Sequence, residues 1–364
     1  MPVPAYDLTM DTDDLKWLRG HVGTARCFPA FLEVDSKRWP VWIGYRGNYS
    51  RWFRKPSYDI WFGEDRSFHG HALLHLNAAY RDPSMLRGRL ALELFAELGV
   101  PTPRSWHVWL SLNDRPLGLY TAIESLDGGW LERRGMKGGS IYYAVGSKGN
   151  FGLLDPDTDR PKRYVWSGYE KCVPWDDDFS DLEQLIYQIT LPQPAQFQDE
   201  INNVLHVETI LRWLIGIEFM SHTDGLVQNY ALFHPRGERW QISPWDCDGT
   251  FGRVPDGRIF HADELALGTG EDNYLLARLL ISPTWRQRYL TIWAQALDGV
   301  LSQTHVVMRL DALWEEIKQD ALHDDNKRRS NSTVRREPGR IRTYVQERIQ
   351  FIRQKLFKAR SSSK

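Results

Sequence analysis

The sequence predicts an α+β protein with a bilobal plan, and three observations predict it. Short alternating apolar and polar runs bounded by Gly and Pro, such as WPVWIGYRG (39–47) and SYDIWF (57–62), crowd the first half. From Asp181 onward, apolar residues recur instead at helical spacing. The chain of 364 residues exceeds the usual size of one core, so one large two-lobed domain or two domains are expected. A hydrophobic content of 42% with 16 Trp excludes a disordered chain.

The expected organisation is an N-terminal extension over 1–38 and a strand-rich half over 39–127. A linker with an inserted loop follows over 128–180, then a helical half over 181–322, and a basic helix and tail over 323–364. Two lobes of this kind leave a cleft between them, a usual place for a ligand.

Taken in order, DPSMLRGRLALELFAELGVP (82–101) predicts a helix, with Asp82 as N-cap, Pro83 at N1, and Gly99 with Pro101 ending it. SWHVWLSLNDRPLGLYTAIES (105–125) predicts a hairpin turning at Asn113-Asp114-Arg115-Pro116. Residues 146–180 are loop-rich with clustered acids. Helices are expected over 180–190, 203–220, 272–281, 284–300, 305–321 and 338–358. Trp42, Trp61, Trp106, Trp109 and Trp245 alternate along strands, so core packing is expected of them.

The net charge of −1 gives no global pull toward nucleic acid or membrane. Cys27, Cys172 and Cys247 form neither a CxxC pair nor a disulfide framework, which fits reduced thiols. No signal peptide is visible, and no apolar run approaches the roughly 18 residues of a spanning helix, so a cytoplasmic protein is expected. Residues 325–364 carry thirteen Lys and Arg against three acids, a basic helix face or an interaction arm. Ser361-Ser362-Ser363 at its end is a frayed terminus or an acceptor of phosphate in cis. His69, His71 and His75 have the look of a metal cluster, but no Cys or acid sits at matching spacing.

The chemistry concentrates in HTDGLVQNYALFHPRGERWQISPWDCDGTFG (222–252). NYALFH and RWQIS read as a hairpin turning at Pro235-Arg236-Gly237-Glu238. It places Asp224 and Asn229 before its first strand and Asp246 and Asp248 after its second, so the four groups should converge. Oxygen ligands of this kind suit Mg²⁺, Mn²⁺ or Ca²⁺ better than zinc, while Asx turns and a strand-end cap remain the structural alternative.

The spacing of Asp224, Asn229 and Asp246 around a hairpin follows kinase logic: an acid that orients the attacking hydroxyl, an Asn on a second metal, and an acid bridging metals to phosphates. The Gly-rich loop and V-A-I-K of ordinary protein kinases are missing. Arg46, Arg51 and Lys55 in YRGNYSRWFRK (45–55) are the best candidates for phosphate recognition, against an exposed basic turn.

With these segments in one order, the chain resembles the spore-coat kinase family, CotH. The resemblance is carried by YRGNYSRWFRKPSYDIWF (45–62), LNAAYRDPSMLRGRLALELFAELGVPTPR (76–104), VWLSLNDRPLGLYTAIESLD (108–127), DGLVQNYALF (224–233), PWDCDGTFG (244–252) and DNYLLARLL (272–280). It implies a bilobal, atypical protein-kinase-like fold and transfer of the ATP γ-phosphoryl group to Ser or Thr of a protein, with Mg²⁺ or Mn²⁺. On the same resemblance Asp224 is the essential acid, and Asn229 and Asp246 are metal positions. Asp248 is a second acid that holds or orients metal, and Lys55 is the nucleotide-phosphate lysine with Arg46 and Arg51 nearby. Glu93 or Glu124 is the acid partner of Lys55, with Glu93 preferred and Glu124 alternatively near adenine. Two other functions stay open: a binding or assembly factor on a kinase-like scaffold, and a nucleotide-sugar glycosyltransferase using Asp246-Cys247-Asp248.

Overall fold

The computed structural model describes residues 3–63, 68–136, 138–254, 256–268, 270 and 272–361. Ser362 and Ser363 of the terminal serine run lie outside them. The chain divides into two compact units. The first comprises Met1–Leu90, Pro103–Arg133 and Met308–Arg340, the second Ala91–Thr102, Arg134–Val307 and Ile341–Lys364.

The first unit is built on β1 (Ala5–Met10), α1 (Thr12–Gly20), β2 (Phe28–Val34), β3 (Lys37–Arg46), β4 (Ser57–Trp61), β5 (Leu73–Asn77), β6 (Ser105–Leu112), β7 (Arg115–Glu124) and the short α3 (Gly128–Glu132). The seven strands close into a barrel in the order β1-β2-β3-β4-β5-β7-β6, with β1 parallel to β6. Period-two burial makes it: β1 turns Tyr6, Leu8 and Met10 inward, and β2 turns Phe28, Ala30, Leu32 and Val34 inward. Ile43, Ile60, Leu74, Leu76, Val108 and Leu110 complete the same core. Residues 3–34, read from sequence as part of an extension, thus supply two strands of the barrel.

The Asn113-Asp114 turn has φ of 49° and 61° at its two central residues, the left-handed pair a tight hairpin between twisted strands requires. The Asn113 side chain also holds both backbone groups of Met10, which ties the hairpin to β1. The tryptophans depart from expectation: Trp42 is 52% exposed, because the inward positions of β3 go to Val41 and Ile43. Trp61, Trp106, Trp109 and Trp245 are only partly buried.

α2 (Arg87–Glu97) begins five residues after the expected N-cap. Asp82 still serves the helix start, since its carboxylate accepts from the backbone amides of Leu86 at 3.0 Å and Arg87 at 2.9 Å. The second unit holds a four-stranded sheet, β11-β10-β8-β9, formed by β8 (Gly139–Ala144), β9 (Tyr169–Val173), β10 (Tyr230–Pro235) and β11 (Gln241–Pro244). β8 and β9 come from the stretch read as linker and loop. Around the sheet are α4 (Ser180–Thr190), α5 (Pro194–Val204), α6 (Val207–Met220), α7 (Tyr274–Ile281) and α8 (Pro283–Asp298). α9 (Gln303–His323) and α10 (Asn331–Ser361) close the chain. From Trp213 to Met220 every residue of α6 is buried, the pattern of a central core helix, while Glu208 and Arg212 of its first half reach the surface. Among the described residues no helix is long and apolar enough to cross a membrane. The fold is therefore mixed α and β, as the sequence predicts.

Candidate active site

The hairpin of the second unit is β10 paired antiparallel with β11, Tyr230 opposite Pro244. Asn229 and Trp245 are therefore neighbours at its open end, joined by a 2.9 Å bond from the Trp245 amide to the Asn229 carbonyl. The Asn229 amide in turn donates to Ala144 of β8 at 3.0 Å. Asn229 has φ of 58° and Asp246 φ of 48°, so both residues leave their strands through the left-handed region, where Asn and Asp are the best tolerated non-glycine residues.

Asp224 is held from two sides. Its Oδ2 accepts from Asn229 Nδ2 at 2.8 Å, and its Oδ1 lies 3.1 Å from Nδ1 of His222, whose side chain is fully buried. Burial opposes ionisation of both groups, yet the pairing prevails: Asp224 is held below the usual carboxylate range, and His222 is raised well above the usual histidine range. The 3.1 Å approach thus favours the charged form of each partner against the cost of burial. Cys247 lies against the same histidine, and burial pushes its thiol up. Gly225 is required here, because a Cβ at this position would stand 2.6 Å from both His222 Cδ2 and Ile217 Cδ1. Asp246 is exposed and Asp248 half-buried.

Because Asn229 Nδ2 is given to Asp224, its amide oxygen is the atom that remains to serve as a ligand. Among the described residues no three His, Cys, Asp or Glu side chains converge as a ready metal cage. Mg²⁺ is commonly held by one or two carboxylates plus water and substrate phosphate, so a pair such as Asp246 and Asp248 with the Asn229 oxygen suits it chemically.

The cations of the first unit are arranged differently. Lys55 is 2% exposed, and its Nζ meets Asp324 Oδ2 at 2.7 Å, the Leu119 carbonyl, and the face of Tyr120 at 4.5 Å. Burial lowers its pKa, and the Asp324 carboxylate opposes that. Asp324 is itself fixed by the amides of Leu119 at 3.0 Å and Asn326 at 2.8 Å. Gly118, with φ of 96°, makes room for it: a Cβ there would stand 2.2 Å from Asp324 Oδ1.

The acid that meets Lys55 is thus Asp324, which the sequence did not single out; nothing local marks a contact spanning 269 residues. Glu124, considered for that role, is fully buried and bonds Arg133 at 2.8 Å and the Arg104 backbone amide at 3.0 Å. Glu93 is a half-buried residue of α2. Arg46 Nε lies 3.3 Å from Asp59 Oδ1 and 3.1 Å from His75 Nδ1, while that same Nδ1 is 2.5 Å from Asp59. One ring nitrogen cannot donate to Asp59 and accept from Arg46 together, so Arg46 and His75 both pair with Asp59. Arg51 donates to the Gly47 carbonyl and, at 3.2 Å, to that of Thr24.

The family model of the CotH kinase protein matches residues 43–352. The chain belongs to the CotH kinase family. It is similar to the inner spore coat protein H of Bacillus subtilis (strain 168), 33% identical over 356 residues that cover 97% of this chain and 98% of that protein. The inner spore coat protein H-like protein of the same organism is 24% identical over 302 residues, covering 82% of this chain and 84% of that one. Among solved structures, the Helicobacter pylori proinflammatory kinase CtkA aligns over 93% of both chains at 8% identity with a TM-score of 0.34. At that score the likeness carries no argument. Family membership supports a kinase-like function.

Proposed function

We propose that this CotH family member is an atypical protein Ser/Thr kinase of bilobal, kinase-like build. It transfers the γ-phosphoryl group of ATP to a hydroxyl of a protein substrate in a Mg²⁺-dependent reaction. The observation that carries the reading is the Asp224 carboxylate, held ionised between His222 and Asn229 at a hairpin mouth whose other side is Asp246. Phosphoryl transfer through a loose transition state asks mainly for positioning and charge neutralisation, so a fixed carboxylate of low basicity suffices to orient the hydroxyl. Asn229, Asp246 and Asp248 would hold Mg²⁺, which neutralises phosphate charge when bound. Lys55, with Arg46 and Arg51, would supply the cationic side of the nucleotide site. By likeness to its B. subtilis relative, a spore-coat location is part of the proposal.

Incubation with γ-labelled and, separately, α-labelled ATP tests it: label from γ alone on protein Ser or Thr is expected. Asp224→Ala should keep Mg²⁺–ATP binding by calorimetry and lose transfer by about 10²-fold or more. Asp246→Ala should lose the Mg²⁺-dependent binding itself. Undiminished transfer in both variants overturns the proposal, and label from α makes the enzyme a nucleotidyl transferase.

One observation favours a second reading, a binding or assembly factor on a kinase-like scaffold. Lys55, Arg46 and Arg51 each already bond groups of their own unit. Absence of ATP binding with both Mg²⁺ and Mn²⁺ would decide for it.

A further inference from the structure

The outer wall of the barrel carries a surface that the candidate active site does not use. Register sets Thr9, Phe31 and Pro40 side by side across β1, β2 and β3, and beside them Pro29, Trp42 and Trp61 across β2, β3 and β4. Phe31 is 43% exposed and Trp42 52%, with Pro29 and Pro40 also exposed. They line an open groove of about 710 Å³, whose lining also includes Asp11 and Asp14 from the junction of β1 and α1. Large aromatics exposed together, rather than singly, mark an interaction surface.

The topology narrows what the groove can hold. The barrel is closed, so strand addition has no edge to use. A shallow floor of aromatic and proline side chains is the surface on which a polyproline II segment docks, with its preformed backbone costing little ordering entropy. The guanidinium of Arg38 already lies 3.9 Å over the Phe31 ring, so this floor accepts a stacked planar cation. Among the described residues no cation pairs with Asp11 or Asp14. Asp11 spends one oxygen on the amides of Asp13 and Asp14 at the start of α1. Arg38 lines the same groove from its place over Phe31, so the Asp11 and Asp14 end is the acidic side, suited to a basic residue of the ligand.

We propose that this groove docks an extended, proline-containing segment of a partner protein in polyproline II conformation. The prolines lie across Trp42 and Pro40, beside the Arg38-covered Phe31, and an Arg or Lys of the segment reaches Asp11 and Asp14. The site is independent of the phosphoryl-transfer reading and stands or falls without it.

The test is binding of a short fluorescent Arg-Pro-Pro repeat peptide to the full chain, measured by anisotropy at several salt concentrations. An Arg-Gly-Gly repeat of equal charge and a Glu-Pro-Pro repeat serve as controls. Saturable binding of the Arg-Pro-Pro peptide alone is expected, weakened by about tenfold or more in Trp42→Ala and Phe31→Ala. The double variant Asp11→Asn, Asp14→Asn should weaken binding and flatten its salt dependence; Asn caps a helix as well as Asp, so α1 is preserved. Should the aromatic variants fail to fold, this double variant decides the question. Equal binding of the Arg-Gly-Gly peptide, binding indifferent to both sets of variants, or no binding overturns the proposal. So does a dimer in sedimentation that Trp42→Ala dissolves, which would assign the face to a second copy of the chain.

Discussion

Lys55 lies in a turn-rich basic segment, yet its energetics are those of a buried ion. Its ammonium and the Asp324 carboxylate are both almost wholly removed from water, so each depends on the other. Asp324→Ala should therefore destabilise the protein by about 3–5 kcal/mol, because it leaves a buried charge uncompensated. The double change Lys55→Met, Asp324→Leu should cost less than the single one, and urea unfolding of the three variants measures both. Similar costs for the single and double variants would refute the pairing. His222 and Asp224 titrate in opposite directions. Asp224 stabilises above its unfolded pKa near 3.8, and that contribution is lost as pH falls through its lower folded value. His222 stabilises below its unfolded pKa near 6.5, and that contribution is lost as pH rises through its higher folded value. The pair is thus fully stabilising between these two values. Above pH 6.5 the wild-type protein should lose stability relative to His222→Gln, which pH-dependent unfolding reads directly. A constant difference from acid to alkaline pH would rule the ion pair out.

Among the elements, the β10–β11 hairpin is the one whose formation makes the site. Antiparallel pairing brings Asn229 to Trp245, and the turn of chain before β10 lays Asp224 against Asn229. That turn is compact enough that Gly225 touches the His222 ring and Ile217 of α6. Gly225→Ala should force those neighbours apart at a cost of about 1–3 kcal/mol and, on the proposed function, reduce transfer while the rest of the fold persists. Circular dichroism melting together with the γ-label assay checks this; full activity in Gly225→Ala would mean the His222 contact is dispensable. α2 teaches a complementary lesson. Its Asp82-Pro83 start signal is genuine chemistry, but the carboxylate reaches forward to Leu86 and Arg87, so the helix starts later than its cap.

At the scale of the whole molecule, a pH effect should come from the buried carboxyl of Glu218. It sits on α6 and accepts from the Gly268 amide at 2.6 Å, Tyr289 Oη at 2.5 Å and Trp293 Nε1 at 3.3 Å, while Arg348 bonds its backbone carbonyl. Burial raises its pKa from 4.5 to about 7. The folded state then holds a proton that the unfolded state has released between those values, so stability falls as pH rises from 4.5 to 7. Glu218→Gln should flatten that fall, seen as a shallower change of Tm with pH; an unchanged slope would show that the carboxyl is already ionised.

The sequence by itself determined the mixed α and β class, the hairpin around the acids and the family, because each rests on local periodicity, turn chemistry or the order of short motifs. DGLVQNYALF and PWDCDGTFG, for example, bring Asn229 beside Trp245 by the register of one hairpin. Tertiary structure decided the partner of Lys55, the enlistment of residues 3–34 into a closed barrel, and the exposure of Trp42. Those outcomes depend on contacts between residues far apart in the chain: a carboxylate 269 positions away, a parallel pairing of β1 with β6, and a choice of inward face shared among seven strands. No local pattern encodes which distant group will be adjacent when apolar surface is buried.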